Sequence, residues 1–167
     1  VATVGGNIAS NKSCSNLIPL LIVLEAELEL GNGKIISVEK YISKKKDDLI
    51  ISIILDLGLI NSSYSDVAVY RRTANDISIL SIAVSFKRTA EKISEMKIAV
   101  GGLDKNVIRL KKLEKILEEQ GKISDDMILK KVISDSQSID DLRGSAEFKN
   151  YETAMLISDC LIKGGLN

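Results

Sequence analysis

In Leu80-Ser81-Ile82-Ala83-Val84-Ser85-Phe86 every second residue is large and apolar, and the residues between are small. Successive strand side chains point to opposite faces, so this spacing predicts a strand with one face on a core and the other against something close. Met96, Ile98 and Val100 repeat the alternation, and Gly101-Gly102 ends that second strand. Val67 to Arg71 predicts another. From Leu110 the period changes. Leu110, Leu113, Ile116 and Leu117 share one helical face, with Gly121 at a C-cap position. Ser124 is placed to cap a second helix that carries Asp125 and Asp126 in its first turn, with Ile123 and Ile128 spaced as a hydrophobic staple. A third helix runs from about Ala146 to Lys163, with Tyr151, Ala154, Met155, Leu161 and Ile162 inward and Gly164-Gly165 as its stop. Strands first and helices last predict an α+β fold rather than a βαβ series. The expected unit is an antiparallel three- to four-stranded sheet packed with about three helices.

Upstream the pattern is less regular. Val1 to Asn16 has no hydrophobic period and reads as a loop, followed by a short buried helix over Leu17 to Leu24. Glu27-Leu28-Glu29-Leu30 alternates as a half-buried strand, and Asn32-Gly33 marks a tight hairpin into a returning strand from Lys34 to Val38. Lys44-Lys45-Lys46-Asp47-Asp48 predicts a solvated turn, and Leu49 to Leu57 a strand apolar enough to be central. Gly58 to Ser65, short and polar, predicts a junction between two subdomains.

Composition narrows the function. Lys plus Arg and Asp plus Glu both number 23 in 167 residues, so the net charge is zero and the electrostatic footprint of a nucleic-acid or anionic-membrane binder is missing. There is no His, hence no imidazole base or metal ligand, and no Trp, with aromatics at only 4%. Cys14 and Cys160 lie too far apart for a local metal site and predict reduced thiols. The longest early apolar run, Leu17 to Leu24, is too short for a membrane span and has no cationic start. A cytoplasmic location is expected.

Thr3-Val4-Gly5-Gly6-Asn7-Ile8-Ala9 is the most suggestive local feature, because adjacent glycines let backbone approach a ligand closely and successive N–H groups can cradle a phosphate. It lacks the Lys of a Walker A loop and the spacing of a dinucleotide fingerprint, and taken alone a Gly-Gly-Asn turn is more often ordinary chain reversal. Arg71-Arg72 with Asn75-Asp76 reads either as a surface ion pair or as a polar clamp on an anionic or heteroaromatic ligand. Asp140-Asp141-Leu142-Arg143-Gly144-Ser145 reads as a loop into a helix N-cap. Ser13-Cys14-Ser15 has no His to activate it, which excludes a nucleophilic triad. No catalytic acid or base and no metal ligand is expected.

Taken in order, these pieces resemble the FAD-binding (medium) subunit of the molybdenum hydroxylase family, which includes xanthine dehydrogenase and carbon monoxide dehydrogenase flavoproteins. Thr3-Val4-Gly5-Gly6-Asn7-Ile8-Ala9-Ser10 is similar to that family's second FAD loop, followed by a helix at Ile18-Pro19-Leu20-Leu21, a hairpin over Ala26 to Ile36 and a strand over Leu49 to Ile54. Arg71-Arg72…Asn75-Asp76-Ile77-Ser78, Ile98-Ala99-Val100-Gly101-Gly102 and Asp141-Leu142-Arg143-Gly144-Ser145-Ala146-Glu147-Phe148-Lys149 are similar to three further family segments. The resemblance implies the second half of a flavin lobe over residues 1–62, then a CO dehydrogenase flavoprotein C-terminal-like domain over 63–167. It implies FAD contacts at Thr3, Val4, Gly5, Gly6 and Asn7 near the pyrophosphate, at Asn16 near a ribose, at Ile50 near the adenine, and at Arg71, Arg72 and Asp76 near the isoalloxazine.

Asn16 stands where the family often has Asp, and Ala68 where it has Lys. The implied role is electron relay between iron–sulfur clusters and an external acceptor, NAD or oxygen. An iron–sulfur small subunit (2Fe-2S) and a molybdopterin large subunit are the implied partners, together with the N-terminal half of the flavin lobe. This chain alone is then expected to bind FAD weakly or not at all and to be inactive by itself. The competing expectation is a non-catalytic scaffold or interaction domain of the same fold that has lost the flavin.

Overall fold

Two antiparallel sheets and the helices laid on them carry the chain. The computed structural model describes residues 3–44, 48–89, 92–121 and 123–166. In chain order the elements are α1 (Val4–Ser10), α2 (Leu17–Val23), β1 (Glu27–Leu30), β2 (Ile35–Ser37), α3 (Val38–Ile42), β3 (Ile50–Ile54) and α4 (Leu57–Ser62). They continue with β4 (Tyr64–Tyr70), β5 (Leu80–Arg88), β6 (Ile93–Gly101), β7 (Ile108–Arg109), α5 (Lys111–Gln120), α6 (Asp125–Asp135) and α7 (Ala146–Lys163). One sheet has strand order β2-β1-β3 and the other β4-β5-β6-β7. The α+β class holds, as does a four-stranded antiparallel sheet packed with three C-terminal helices.

The alternation in β5 explains how the halves join. Leu80, Ile82, Val84 and Phe86 enter one core with Ile98 and Val100 of β6 and with Leu113, Leu117, Val132 and Ile157 of the helices. On the opposite face Ala83 pairs in register with Ala99, and both enter a second core with Ile18, Leu21 and Ile22 of α2 and Leu28 and Leu30 of β1. The close neighbour implied by the small residues is therefore α2. Ser81 Oγ donates to the carbonyl of Ser15 at 2.9 Å on that side. Filling both faces makes β5 and β6 the most buried strands, each large apolar side chain contributing about 1.5–3 kcal/mol.

Capping overrides composition at the N-terminus. Val4–Ser10 is helical rather than a loop, because Thr3 Oγ1 accepts the Gly6 N–H at 3.0 Å and the Thr3 carbonyl accepts the Asn7 N–H at 2.9 Å. Those bonds, with the complete burial of Ile8, offset the roughly 1 kcal/mol that each glycine costs inside a helix. The returning strand stops at Ser37, whose hydroxyl caps α3, and Val38 and Tyr41 turn into the core. Gly58 to Ser65, which runs from one sheet to the other, is helical as far as Ser62 rather than an irregular loop. Asp56 accepts from the Gly58 and Leu59 N–H groups and starts α4, and β4 begins at Tyr64.

Among the described residues β3 lies at the edge of its sheet and not at the centre, with Ile51 56% exposed and the preceding Leu49 71%. A run that is apolar at every position but Ser52 carries no period from which its neighbours can be read. The inward face of α7 is Lys149, Thr153, Ala154, Ile157, Cys160 and Leu161, while Tyr151 and Ile162 are half exposed. Of the expected solvated turn, residues 45–47 lie outside the described residues, as do Val1 and Ala2. Among the described residues no helix is long and apolar enough to cross a membrane.

Both cysteines are free, Cys14 partly exposed and Cys160 buried. Burial pushes the Cys160 thiol up to about 12, and the nearby Asp66 carboxylate adds to the shift. Because that folded-state value lies above the unfolded one, the contribution of this thiol to stability is intact below about pH 8.5 and is lost as pH rises toward the folded value. A chromogenic thiol reagent at neutral pH is expected to titrate one thiol in the native chain and both after unfolding. Two fast-reacting native thiols would contradict this packing.

Candidate functional site

A cavity of about 470 Å³ opens between α1, Tyr41 of α3 and the start of β3, lined by Thr3, Gly5, Gly6, Ala9, Asp48, Leu49 and Ile50. A Cβ on Gly5 would meet the Ile50 Cβ at 3.7 Å, an ordinary contact, so α1 lies directly against β3. At Gly6 a Cβ would stand 2.9 Å from Thr3 Oγ1, so glycine at this position lets the capping hydroxyl sit over the first helical turn. Capping consumes the Gly6 and Asn7 N–H groups, which leaves those of Val4 and Gly5 without a recorded partner among the described residues. Asp48 supplies a carboxylate, whose Oδ1 accepts from Asn32 Nδ2 at 3.1 Å. Among the described residues no cation lines the cavity.

Four of the expected site residues, Thr3, Gly5, Gly6 and Ile50, thus share one cavity. Val4 is exposed beside it, and Asn7 does not line it. Asn7 Oδ1 instead accepts from Ser15 Oγ at 2.6 Å, and Ser15 Oγ accepts the Leu17 and Ile18 N–H groups at 3.2 Å each. The amide therefore fixes the hydroxyl that caps α2. Asn16, at the N-cap position, makes no capping bond, and its Oδ1 accepts from the buried Ser78 at 2.5 Å.

Arg71, Arg72 and Asp76 lie in the exposed β4–β5 connection and do not line the cavity. The expected ion pair between them is not formed. Arg71 Nη1 reaches the Ala74 carbonyl at 3.4 Å, and the Asp76 N–H donates to the Thr73 carbonyl. Arg72 Nη2 donates to the Leu142 and Arg143 carbonyls at 2.7 and 3.4 Å, so the guanidinium ties two loops together where a carboxylate was expected.

Sequence reasoning missed the residues beneath this junction. Arg143 bonds Asp141 through Nε at 3.1 Å and Nη2 at 2.6 Å, and reaches Ser13 Oγ at 3.5 Å. Lys149, with a completely buried side chain, places Nζ 2.9 Å from Asp141 Oδ1 and 2.9 Å from the Ile139 carbonyl. Burial opposes ionisation of Asp141, but hydrogen bonds from Arg143 and Lys149 outweigh it and hold the carboxyl well below the usual carboxylate range. One signal was present in the sequence: Lys149 stands on the apolar stripe of α7, and a lysine there needs a carboxylate. The Gly101-Gly102 pair carried another. A Cβ on Gly101 would stand 2.6 Å from both the Ser13 carbonyl and Ser81 Oγ, so its absence lets the 13–15 loop lie on the end of β6.

Comparison with known proteins sets this arrangement in a family. Residues 66–163, more than half of the chain, match the model of the CO dehydrogenase flavoprotein C-terminal domain. The uncharacterized protein YgfM of Escherichia coli strain K12 is 29% identical over 158 residues, a match that covers 95% of this chain and 56% of that protein. The chain thus spans little more than half the length of this curated relative. In overall shape it resembles a carbon monoxide dehydrogenase chain from Hydrogenophaga pseudoflava, with a TM-score of 0.81 at 17% identity over 96% of this chain and 60% of that one. It also resembles a chain of quinoline 2-oxidoreductase from Pseudomonas putida 86, with a TM-score of 0.77 at 15% identity over 99% of this chain and 62% of that one. At those identities the likeness is one of fold; the matched family model carries the membership, and the chain belongs to the CO dehydrogenase flavoprotein C-terminal domain family.

Proposed function

We propose that the chain is the FAD-contacting part of an oxidoreductase subunit of the molybdenum hydroxylase kind, with residues 1–62 belonging to a flavin lobe and 63–167 to the C-terminal domain. The observation that carries this reading is the cavity that brings Thr3, Gly5 and Gly6 together with Ile50, more than 40 positions away in sequence. The donors present there suit the group. The Val4 and Gly5 N–H groups at the start of α1, without a partner among the described residues, can meet an anionic phosphate, a surface without Cβ atoms admits it closely, and Leu49 and Ile50 offer an apolar contact to a flat ring.

Arg71, Arg72 and Asp76 then approach the flavin ring from the β4–β5 connection, and Asn16 a ribose hydroxyl. Bound FAD supplies the electron acceptance and donation, between 2Fe-2S clusters of a small subunit and NAD or oxygen, while a molybdopterin subunit acts on substrate. The chain's own work is positioning. No acid or base is required of it, which suits a sequence without His.

Titration of the chain with FAD, followed by quenching of flavin fluorescence, tests this. Weak saturable binding is expected, since these residues supply one side of a cleft. In Gly5→Glu the added Cβ keeps ordinary van der Waals spacing to Ile50 and the carboxylate is favourable at a helix start, and a circular dichroism spectrum matching the parent's checks that the fold is kept. The carboxylate would meet the phosphates and is expected to weaken binding at least tenfold. Unchanged affinity in Gly5→Glu would sink the assignment. A second reading, a scaffold of the same fold without flavin, is favoured by Asp48 in the cavity and by the lack of a lining cation among the described residues. The absence of any saturable signal even when the N-terminal half of the flavin lobe is supplied would select it.

A further inference from the structure

Among the described residues, Asp48 is the one charged side chain that lines the cavity between α1 and β3. A carboxylate there is at odds with an anionic dinucleotide unless it faces a neutral part of it. The residue is also held in place. The Lys34 N–H donates to Asn32 Oδ1 at 3.1 Å, which turns Asn32 Nδ2 toward Asp48 Oδ1, again 3.1 Å away. The Tyr41 hydroxyl donates to the Asp48 carbonyl at 3.4 Å, and the Leu49 carbonyl accepts the Gly31 N–H at 2.8 Å. Residue 48 is thus tied to the turn between β1 and β2 and to α3, and its side chain lines the same cavity as Leu49 and Ile50. A carboxylate only accepts, through about four lone-pair sites, and among the described residues Asn32 occupies one of them.

That chemistry decides which part of FAD can stand beside it. A phosphate would bring a second anion against the carboxylate, so the pyrophosphate is kept away from this end of the cavity. The isoalloxazine presents its ring N–H between two carbonyl oxygens, so a carboxylate facing that edge gains one bond and meets two further acceptors. Adenine instead projects an exocyclic amine with two N–H donors beyond its ring. A flat purine laid on Leu49 and Ile50 brings that amine toward Asp48, because side chains two positions apart on extended backbone share a face about 6.5 Å apart.

We propose that Asp48 reads the base of the bound dinucleotide. Its carboxylate accepts from the exocyclic amine of adenine, and so selects adenine over a purine with a carbonyl at that position. On the flavin reading, on which this rests, the charge that would otherwise favour a scaffold becomes a specificity element. Asn32 holds it for that task.

The test uses the chain together with the N-terminal half of the flavin lobe. Bound FAD is displaced with ADP or with inosine diphosphate (IDP), which carries a carbonyl in place of the amine, and recovery of flavin fluorescence is followed. ADP is expected to displace FAD at concentrations at least tenfold lower than IDP, since the carbonyl loses the bond to a charged acceptor and sets an oxygen against it. Asp48→Asn has the same shape, and its amide can donate to a carbonyl. With a circular dichroism spectrum matching the parent's, this variant is expected to reduce the preference for ADP below about threefold or to reverse it. The ratio is the readout, because loss of a charge alone moves both competitors together. Equal competition by ADP and IDP would overturn the proposal and leave the flavin reading standing, as would a preference that survives Asp48→Asn. No saturable FAD signal at all would remove both.

Discussion

Replacing Gly102 by alanine is expected to destabilise the chain by about 3–5 kcal/mol, a large share of the stability of a domain this size. Gly102 has φ +90°, and a Cβ there would fall 2.0 Å from the Ile79 carbonyl oxygen and 3.3 Å from the Leu80 Cα. Both are backbone atoms at the head of β5, so no rotamer change relieves the clash. The strand would have to move, and with it Ile82 and Val84 in one core and Ala83 in the other. Gly33→Ala is the matched control. Its φ of +78° carries the same conformational penalty, but nothing lies within 4 Å of the added methyl, so a loss of about 1 kcal/mol is expected there. Urea unfolding of the two variants measures the difference. A Gly102→Ala midpoint no lower than that of Gly33→Ala would show that the β6 end is not packed as described.

The contrast between these glycines shows what the sequence made readable. Asn32-Gly33 and Gly101-Gly102 both announce special backbone, but only three-dimensional proximity distinguishes a free turn from a crowded one. The β5 alternation was legible because burial on both faces left its mark on every residue: large side chains face the helices, small ones face α2. β3 failed for the opposite reason, since a run apolar at every position but Ser52 is compatible with a centre or an edge. The start of α1 was hidden by two glycines, whose helix-breaking preference lost to the Thr3 cap and to Ile8. In the candidate site the glycines at 5 and 6 announced a close backbone approach by residue type, while Ile50 entered only through the family resemblance. The diversion of Asn7 to Ser15, of Asn16 to Ser78 and of Arg72 to the Leu142 carbonyl did not, because each amide or guanidinium is satisfied by a group that only the fold brings near.

Removing the Asp141 carboxylate is expected to cost about 3–5 kcal/mol, because it strands a buried ammonium. Lys149 has no exposed side-chain surface, and its two recorded partners are the Ile139 carbonyl and Asp141 Oδ1. Asp141→Ala leaves that charge with a single neutral acceptor and also frees Arg143 from its three bonds to the carboxylate, one of them from its backbone N–H. Lys149→Met fills similar volume without the charge and leaves Asp141 paired with Arg143, so its loss is expected to be the smaller. The double variant is expected to be more stable than Asp141→Ala alone, since the stranded charge is gone, and a double-mutant cycle reads the coupling directly.

The pH dependence has a fixed sign. The folded-state carboxyl titrates below its unfolded value of about 3.9, so its contribution is fully present above that value and is lost as pH falls through the acid range. Unfolding free energies measured from pH 7 down to 2 are therefore expected to fall more steeply in the parent chain than in Asp141→Asn, with the two curves converging at the acid end. Parallel curves would mean that Asp141 is not ion-paired in solution, and the bond that anchors the start of α7 against the 13–15 loop would have to be sought elsewhere.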